Sequence, residues 1–227
     1  MPMGVYDAYV FDIQGTLFDF FGPVADALSE WVDDEVVGDA VRAWRQDYFE
    51  RTSTLTQSAE HWQPVQNVYR DGLDSVAKKL GLQIPSPART ALADTWKNLR
   101  PWPDSVDGLR DLRQISVVAS LSNTDMATMV HLFKRAGMDW DAVLTAEVFG
   151  AFKPASFLYE RTCRYLGVEP DRAAMVASHP YDLRAARAVG MKTVFVHRPL
   201  EFGRIDHSVD DARGEFDHRI DSIADMP

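Results

Sequence analysis

The stretch Tyr6–Phe18, YDAYVFDIQGTLF, decides the fold. Its first half is a short aromatic and β-branched run that closes on Asp12, and Gln14-Gly15-Thr16 then breaks the pattern. That reads as a buried strand running into a loop. Three later runs have the same form: Ile115–Leu121 before Ser122-Asn123, Ala173–Ala177 before Ser178-His179-Pro180, and Thr193–Val196. Helical patterns lie between them at Ala127–Ala136, at Ser156–Leu166 with Gly167 as a C-cap, and at Leu183–Val189 before Gly190. Strands alternating with helices predict parallel βαβ units, hence an α/β protein with a Rossmann-like parallel sheet.

From Val24 to Arg100 the pattern changes. No strand is legible, and apolar residues recur at helical spacing: Val24, Leu28 and Trp31; Val41, Trp44 and Tyr48; Val65, Val68 and Tyr69; Val76 and Leu80. The expected layout is an α/β core of residues 1–20 and 101–227, interrupted by an all-helical segment over 21–100.

The 227 residues, 46% of them apolar, suffice for a sizeable core and exclude a mainly disordered chain. No apolar run reaches the ~18–20 residues that a membrane helix needs. The start MPMGVYDAYVFD lacks the basic and apolar regions of a signal peptide, and the single cysteine, Cys163, cannot pair internally. A cytoplasmic location is therefore expected. Cys163 falls in a helical pattern and reads as packing rather than as a nucleophile. The 24 Lys and Arg against 34 Asp and Glu leave a net charge of −10, which argues against nucleic acid and anionic lipid as partners. An anionic small molecule would need local cations.

In open parallel sheets, ligands bind beyond the carboxyl ends of the strands. Here those ends carry Asp12, Ser122-Asn123 and Ser178-His179, with Lys153 in an intervening loop. By itself, Asp12 is either a turn cap or a carboxylate nucleophile, able to split one displacement into two steps. There is no G-x-S-x-G, H-x-x-x-H, C-x-x-C, Walker loop or G-x-G-x-x-G to suggest other chemistry.

The order D-x-x-G-T-L, S-N, K-P and a final Asp resembles the haloacid dehalogenase (HAD) superfamily. Asp12 with Gly15-Thr16 would be its first motif, Ser122 the second, Lys153-Pro154 the third and Asp182 the fourth. The helical segment would be its cap. Most members are magnesium-dependent phosphatases, which carry an Asp two positions after the nucleophile and an acidic residue four before the last motif Asp. This chain has Gln14 and Ser178 there. Glutamine cannot serve as that general acid, and only Asp12 and Asp182 remain for an ion that prefers a carboxylate-anchored oxygen shell. The resemblance is therefore to the (S)-2-haloacid (L-2-haloacid) dehalogenase branch, which needs no metal or other cofactor. Ala43-Trp44-Arg45-Gln46 is similar to the Trp-Arg-Gln of that branch's cap, Ser122-Asn123 to its second motif, and Tyr159 to its Tyr six residues after the lysine.

The resemblance implies hydrolytic release of halide from short 2-haloalkanoic acids through an ester on Asp12. Arg45 would hold the departing halide, with Asn123 as a second donor and Gln46 nearby. Ser122, with backbone amides near Gln14 and Gly15, would bind the substrate carboxylate. Lys153 would keep Asp12 ionised, Thr16 would hold its carboxylate, and Asp182 would activate the water, directly or through Lys153. Tyr159 either braces Lys153 or Asp182 or packs in its helix. His179 stands where the branch usually has Asn; it either assists the water step, donates to the halide, or satisfies a loop carbonyl. Ser178 and Tyr181 complete the expected substrate-binding set, Tyr181 on the apolar wall. Trp62 and Tyr48 either close the pocket or belong to the cap core. Gln14 stands where the branch usually has an aromatic and adds an amide donor, which would suit fluoride, so fluoroacetate is an expected substrate. A homodimer is a further expectation from the resemblance. The competing readings are a magnesium-dependent phosphatase on a small phosphoester and a non-catalytic binding module of the same fold.

Overall fold

The computed structural model describes residues 4–56, 63–205 and 214–227. β1 (Ala8–Phe11) is followed by a tight loop and the short β2 (Phe18–Asp19). The helices α1 (Phe21–Leu28), α2 (Asp34–Thr56), α3 (Val65–Leu80) and α4 (Ser86–Ala93) come next. β3 (Arg100–Pro101) then pairs antiparallel with β2, so the chain leaves and rejoins the sheet through one two-stranded clasp. Beyond it run α5 (Ser105–Leu112), β4 (Val117–Ser122), α6 (Met126–Ala136), β5 (Ala142–Thr145), α7 (Ala146–Phe149) and α8 (Ser156–Leu166). β6 (Ala173–Ala177), α9 (Pro180–Ala188), β7 (Lys192–Val196) and β8 (His218–Ile220) complete the order.

The main sheet has six strands in the order β5-β4-β1-β6-β7-β8, all parallel. The α/β reading of the sequence therefore holds. β1 sits in the middle, where the strand order reverses, and its end is the crevice in which such sheets bind ligands. Alternation along β1 divides the core: Tyr9 and Phe11 join an apolar cluster with α5 and α6, while Ala8 and Val10 join one with α8 and α9.

The first cluster continues without a break into the helical segment, through Phe20, Trp44, Tyr69 and Trp96. Tyr69 stacks on Trp96 at 4.1 Å between centroids, and Trp44 meets Trp96 edge-on at 5.5 Å. Trp44 Nε1 donates to the Tyr69 carbonyl at 2.8 Å, so this buried indole is fully satisfied. The helices are also tied to the sheet by Asp125, in the loop after β4. Its carboxylate accepts the Val65 and Gln66 backbone N–H groups at 2.7 and 3.0 Å, capping α3 from another part of the chain. Among the described residues, no helix is long and apolar enough to cross a membrane.

Three sequence expectations need correction. Trp31 and Leu80 are expected on the apolar stripe, but Trp31 lies in the turn after α1 and Leu80 at the end of α3, and they are 41% and 37% exposed. The helix expected at Leu183–Val189 begins at Pro180, which suits a first helical position, so Asp182 lies in its first turn. β5 and β8 were not legible, because edge strands of four and three residues, largely half-buried, lack a continuous apolar run.

Because Trp44 is buried on every side, Trp44→Ala should cost ~3–5 kcal/mol of unfolding free energy. Denaturant titration should show a lower midpoint than for the wild type, and an unchanged midpoint would refute the packing described.

Candidate active site

Asp12 ends β1 and is buried with both oxygens engaged. Oδ1 takes one contact, from Lys153 Nζ at 2.8 Å. Oδ2 takes two, from Thr16 Oγ1 at 2.8 Å and His179 Nδ1 at 3.0 Å. Burial alone would raise the Asp12 pKa. The Lys153 ammonium and the His179 ring outweigh it and hold the carboxylate far below its usual range, so Asp12 is ionised at neutral pH.

Lys153 Nζ also donates to Asp182 Oδ2, while Tyr159 OH donates to Asp182 Oδ1. Burial opposes the Lys153 charge, but Asp12 and Asp182 together raise its pKa. Burial raises that of Asp182 despite the neighbouring ammonium. Thr16 and Lys153 thus both contact the Asp12 carboxylate, and Tyr159 contacts Asp182.

His179 lies between two carboxylates. Its Nε2 meets Glu201 Oε1 at 2.8 Å, and Glu201 Oε2 accepts the Ser178 hydroxyl at 3.1 Å. Burial works against a charged ring, but Glu201 foremost and then Asp12 push the His179 pKa up to about 10. Nothing in the sequence marked Glu201, a loop glutamate in Pro199-Leu200-Glu201-Phe202 with no motif spacing.

Over this floor lies α2, where Trp44, Arg45 and Gln46 point about 100° apart, as successive helical residues must. Trp44 enters the helical core. Gln46 is exposed and donates to Glu50 Oε1 at 3.0 Å on the pocket rim. Arg45 points to Asp12's loop, where Nη1 donates to Gln14 Oε1 at 3.0 Å. Its guanidinium lies 4.6–4.7 Å from the ring centroids of Phe20, Tyr48 and Phe49. Tyr69 OH donates to the same Gln14 oxygen at 2.5 Å. That clamp fixes the Gln14 amide and leaves two buried donors, Gln14 Nε2 and Arg45 Nε, without a partner. Buried donors without a partner on touching groups, one of them cationic, are chemically suited to an anion.

Beside these groups a pocket of about 390 Å³ is lined by Phe49, Asn123, Lys153, His179 and Tyr181. Tyr48 lies within the aromatic wall around Arg45. Trp62, proposed above as a possible lid, lies outside the described residues.

Three assignments change. The Ser122 hydroxyl donates to Thr124 Oγ1 at 3.0 Å and accepts the Thr124 N–H, so it braces its own turn rather than presenting a donor to substrate. The Gly15 amide is likewise used, donating to the Phe18 carbonyl at 2.8 Å. Ser178 faces Thr16 and Glu201 beneath the pocket, its N–H donating to Thr16 Oγ1 at 2.9 Å. Asn123 keeps a place at the pocket, with Oδ1 accepting the Lys153 N–H at 2.7 Å.

The carboxylates do not open onto a common space. Lys153 separates Asp12 from Asp182, and His179 separates Asp12 from Glu201. Among the described residues, no group of three or more His, Cys, Asp or Glu is placed to hold a metal ion. This donor set does not fit the carboxylate-anchored oxygen shell of magnesium.

The chain is similar to known dehalogenases in sequence and in fold. (S)-2-haloacid dehalogenase 4A of Burkholderia cepacia is 29% identical over 217 residues, covering 89% of this chain and 90% of the relative. The crystal structure of a defluorinating L-2-haloacid dehalogenase superposes with a TM-score of 0.88 at 29% identity, covering 97% of this chain and 93% of the other. The L-2-haloacid dehalogenase of Xanthobacter autotrophicus, solved with chloropropionic acid covalently bound, gives 0.82 at 25% identity over 98% and 97% of the two chains. The family model for haloacid dehalogenase-like hydrolases matches residues 6–190, and the chain belongs to that family.

Proposed function

We propose that this protein is a hydrolytic dehalogenase of short 2-haloalkanoic acids, acting through an ester on Asp12 without a metal. The observation that carries the reading is the pair of buried donors without a partner, on Arg45 and on Gln14 two residues after the ionised, buried Asp12. A carboxylate nucleophile near donors suited to an anion fits displacement of a halide from carbon.

Asp12 Oδ1 is the attacking atom, since it has a single partner whereas Oδ2 has two. Its electron pair forms the bond to the substrate's C2, and the carbon–halogen pair leaves with the halide toward Arg45. No proton moves in this step. Developing charge on the halide meets a fixed cation in an aromatic, water-poor enclosure, where electrostatic stabilisation is strong. The covalent adduct in the Xanthobacter relative's structure supports such an ester here.

Water then attacks the Asp12 side-chain carbon. Asp182 acts through Lys153: Lys153 passes a proton to Asp182 across their hydrogen bond, takes one from the water, donates it to Oδ1 as the 2-hydroxyacid leaves, and is reprotonated by Asp182. Water thus restores the Asp12 carboxyl group, which ionises by releasing a proton.

Gln14 Nε2 adds a neutral donor beside Arg45, which favours the halide that forms the strongest hydrogen bonds. We therefore include fluoroacetate among the substrates. A defluorinating relative of similar fold supports this extension.

Two measurements test the proposal. With EDTA present, wild type should release halide from chloroacetate, one enantiomer of 2-chloropropionate and fluoroacetate, and Asp12→Asn should release none. Silence across the panel, with p-nitrophenyl phosphate hydrolysed once magnesium is added, would contradict the reading. Gln14→Met keeps the length and removes the donor. A hydrogen bond to a charged group contributes ~1.5–3 kcal/mol, so fluoroacetate turnover should fall about 10–100-fold relative to chloroacetate. An unchanged ratio would remove Gln14 from halide selection.

A further inference from the structure

We propose that His179, oriented by Glu201, donates the hydrogen bond that stabilises the oxyanion formed when water attacks the Asp12 ester. The inference rests on the aspartyl-ester reading above and assigns His179 to its second step.

The two Asp12 oxygens set the argument. Once Oδ1 has bonded to substrate, Oδ2 is the ester carbonyl oxygen. Its partners are Thr16 Oγ1 and His179 Nδ1, at 2.8 and 3.0 Å. Attack by water moves the carbonyl π pair onto Oδ2, between those two donors. The distances suit a preorganised pair aimed at the atom where charge develops. When the tetrahedral adduct collapses, that pair re-forms the carbonyl, and the bond from the Asp12 side-chain carbon to Oδ1 breaks.

The ring can donate on both sides. An ionised carboxylate only accepts, and His179 is flanked by two, so each ring nitrogen carries a hydrogen when both bonds are made. Of the groups facing it, Asp12 and Glu201 are anionic, and Phe49 from α2 and Tyr181 from α9 contribute rings at 5.9 and 5.7 Å. The one nearby ammonium, Lys153, reaches it through Asp12. Alkylation removes the charge of Asp12 but not that of Glu201, which keeps the imidazolium paired during the water step.

The surroundings fix this arrangement. Arg198 donates to the Thr16 carbonyl at 3.0 Å and to Asp104 Oδ1 at 2.9 Å, and the Glu201 N–H donates back to the Arg198 carbonyl at 3.1 Å. The loop bearing Glu201 is thereby pinned to the loop bearing Thr16. Gly15 leaves the space: a Cβ there would lie 2.3 Å from Glu201 Oε1 and 3.1 Å from His179 Cε1. Glu201 is a positioning residue, since it acts through the ring and not on the ester.

The test separates the two chemical steps. Pre-steady-state halide release and intact-protein mass should be followed on wild type, His179→Ala and Glu201→Gln with chloroacetate. The wild type should turn over with little ester present. His179→Ala should give a halide burst equal to the enzyme concentration, accumulate alkylated protein, and hydrolyse it about 100-fold more slowly, with ester formation slowed less than ester hydrolysis. Glu201→Gln should show the same split and also move the imidazole titration, read by NMR, down from about 10. If the wild type turns over but neither variant accumulates ester, or both steps slow equally, the role assigned to His179 is overturned and the dehalogenase reading stands. If the wild type releases no halide and gains no adduct, both fall together.

Discussion

The ammonium of Lys153, buried between Asp12 and Asp182, is the contact on which the rest of the site depends. Two carboxylates this close, one just after β1 and the other in the first turn of α9, would repel each other in a medium of low dielectric. Lys153 makes their proximity tenable, and a second cation, His179, does the same between Asp12 and Glu201. Thr16, Ser178 and Tyr159 supply the remaining hydrogen bonds of the three acids. The site is therefore a balanced alternation of charges, and removing either cation would leave a buried carboxylate uncompensated. Such a network holds Asp12 ionised and fixed before any substrate arrives.

The helical segment adds the opposite sign at the roof. Arg45 is the cation there, and aromatic faces enclose it in place of a carboxylate. An acidic partner would have neutralised the guanidinium. Rings stabilise it while leaving its charge available to an incoming anion. On the proposed route the halide moves from the nucleophile's side of the pocket to this cation. The protein's overall charge of −10 makes such a local arrangement necessary for any anionic ligand.

Much of this was legible in the sequence, for identifiable reasons. The α/β core followed from continuous apolar runs, because buried central strands carry them, whereas β5 and β8 at the sheet edges do not. Asp12, Thr16 and Lys153 stand in loops at the carboxyl side of the sheet and Asp182 in the first helical turn after β6, positions tied to strand ends. Side-chain direction was not legible. Ser122 and Ser178 lie beside the site yet turn their hydroxyls to Thr124 and Glu201. Tyr69 shares an apolar helical stripe with Val65 and Val68, and only the fold shows its hydroxyl on Gln14. Glu201 stands in a loop whose path is set by tertiary contacts from Arg198, which no local pattern encodes.

The central claim is that Asp12 Oδ1 becomes the hydroxyl oxygen of the product. The most direct measurement is a single turnover with enzyme in excess over chloroacetate, in water enriched in oxygen-18. The account predicts unlabelled glycolate and one heavy oxygen in the peptide containing Asp12. Label in the glycolate, with an unlabelled peptide, would mean that water attacks the substrate directly and would contradict it.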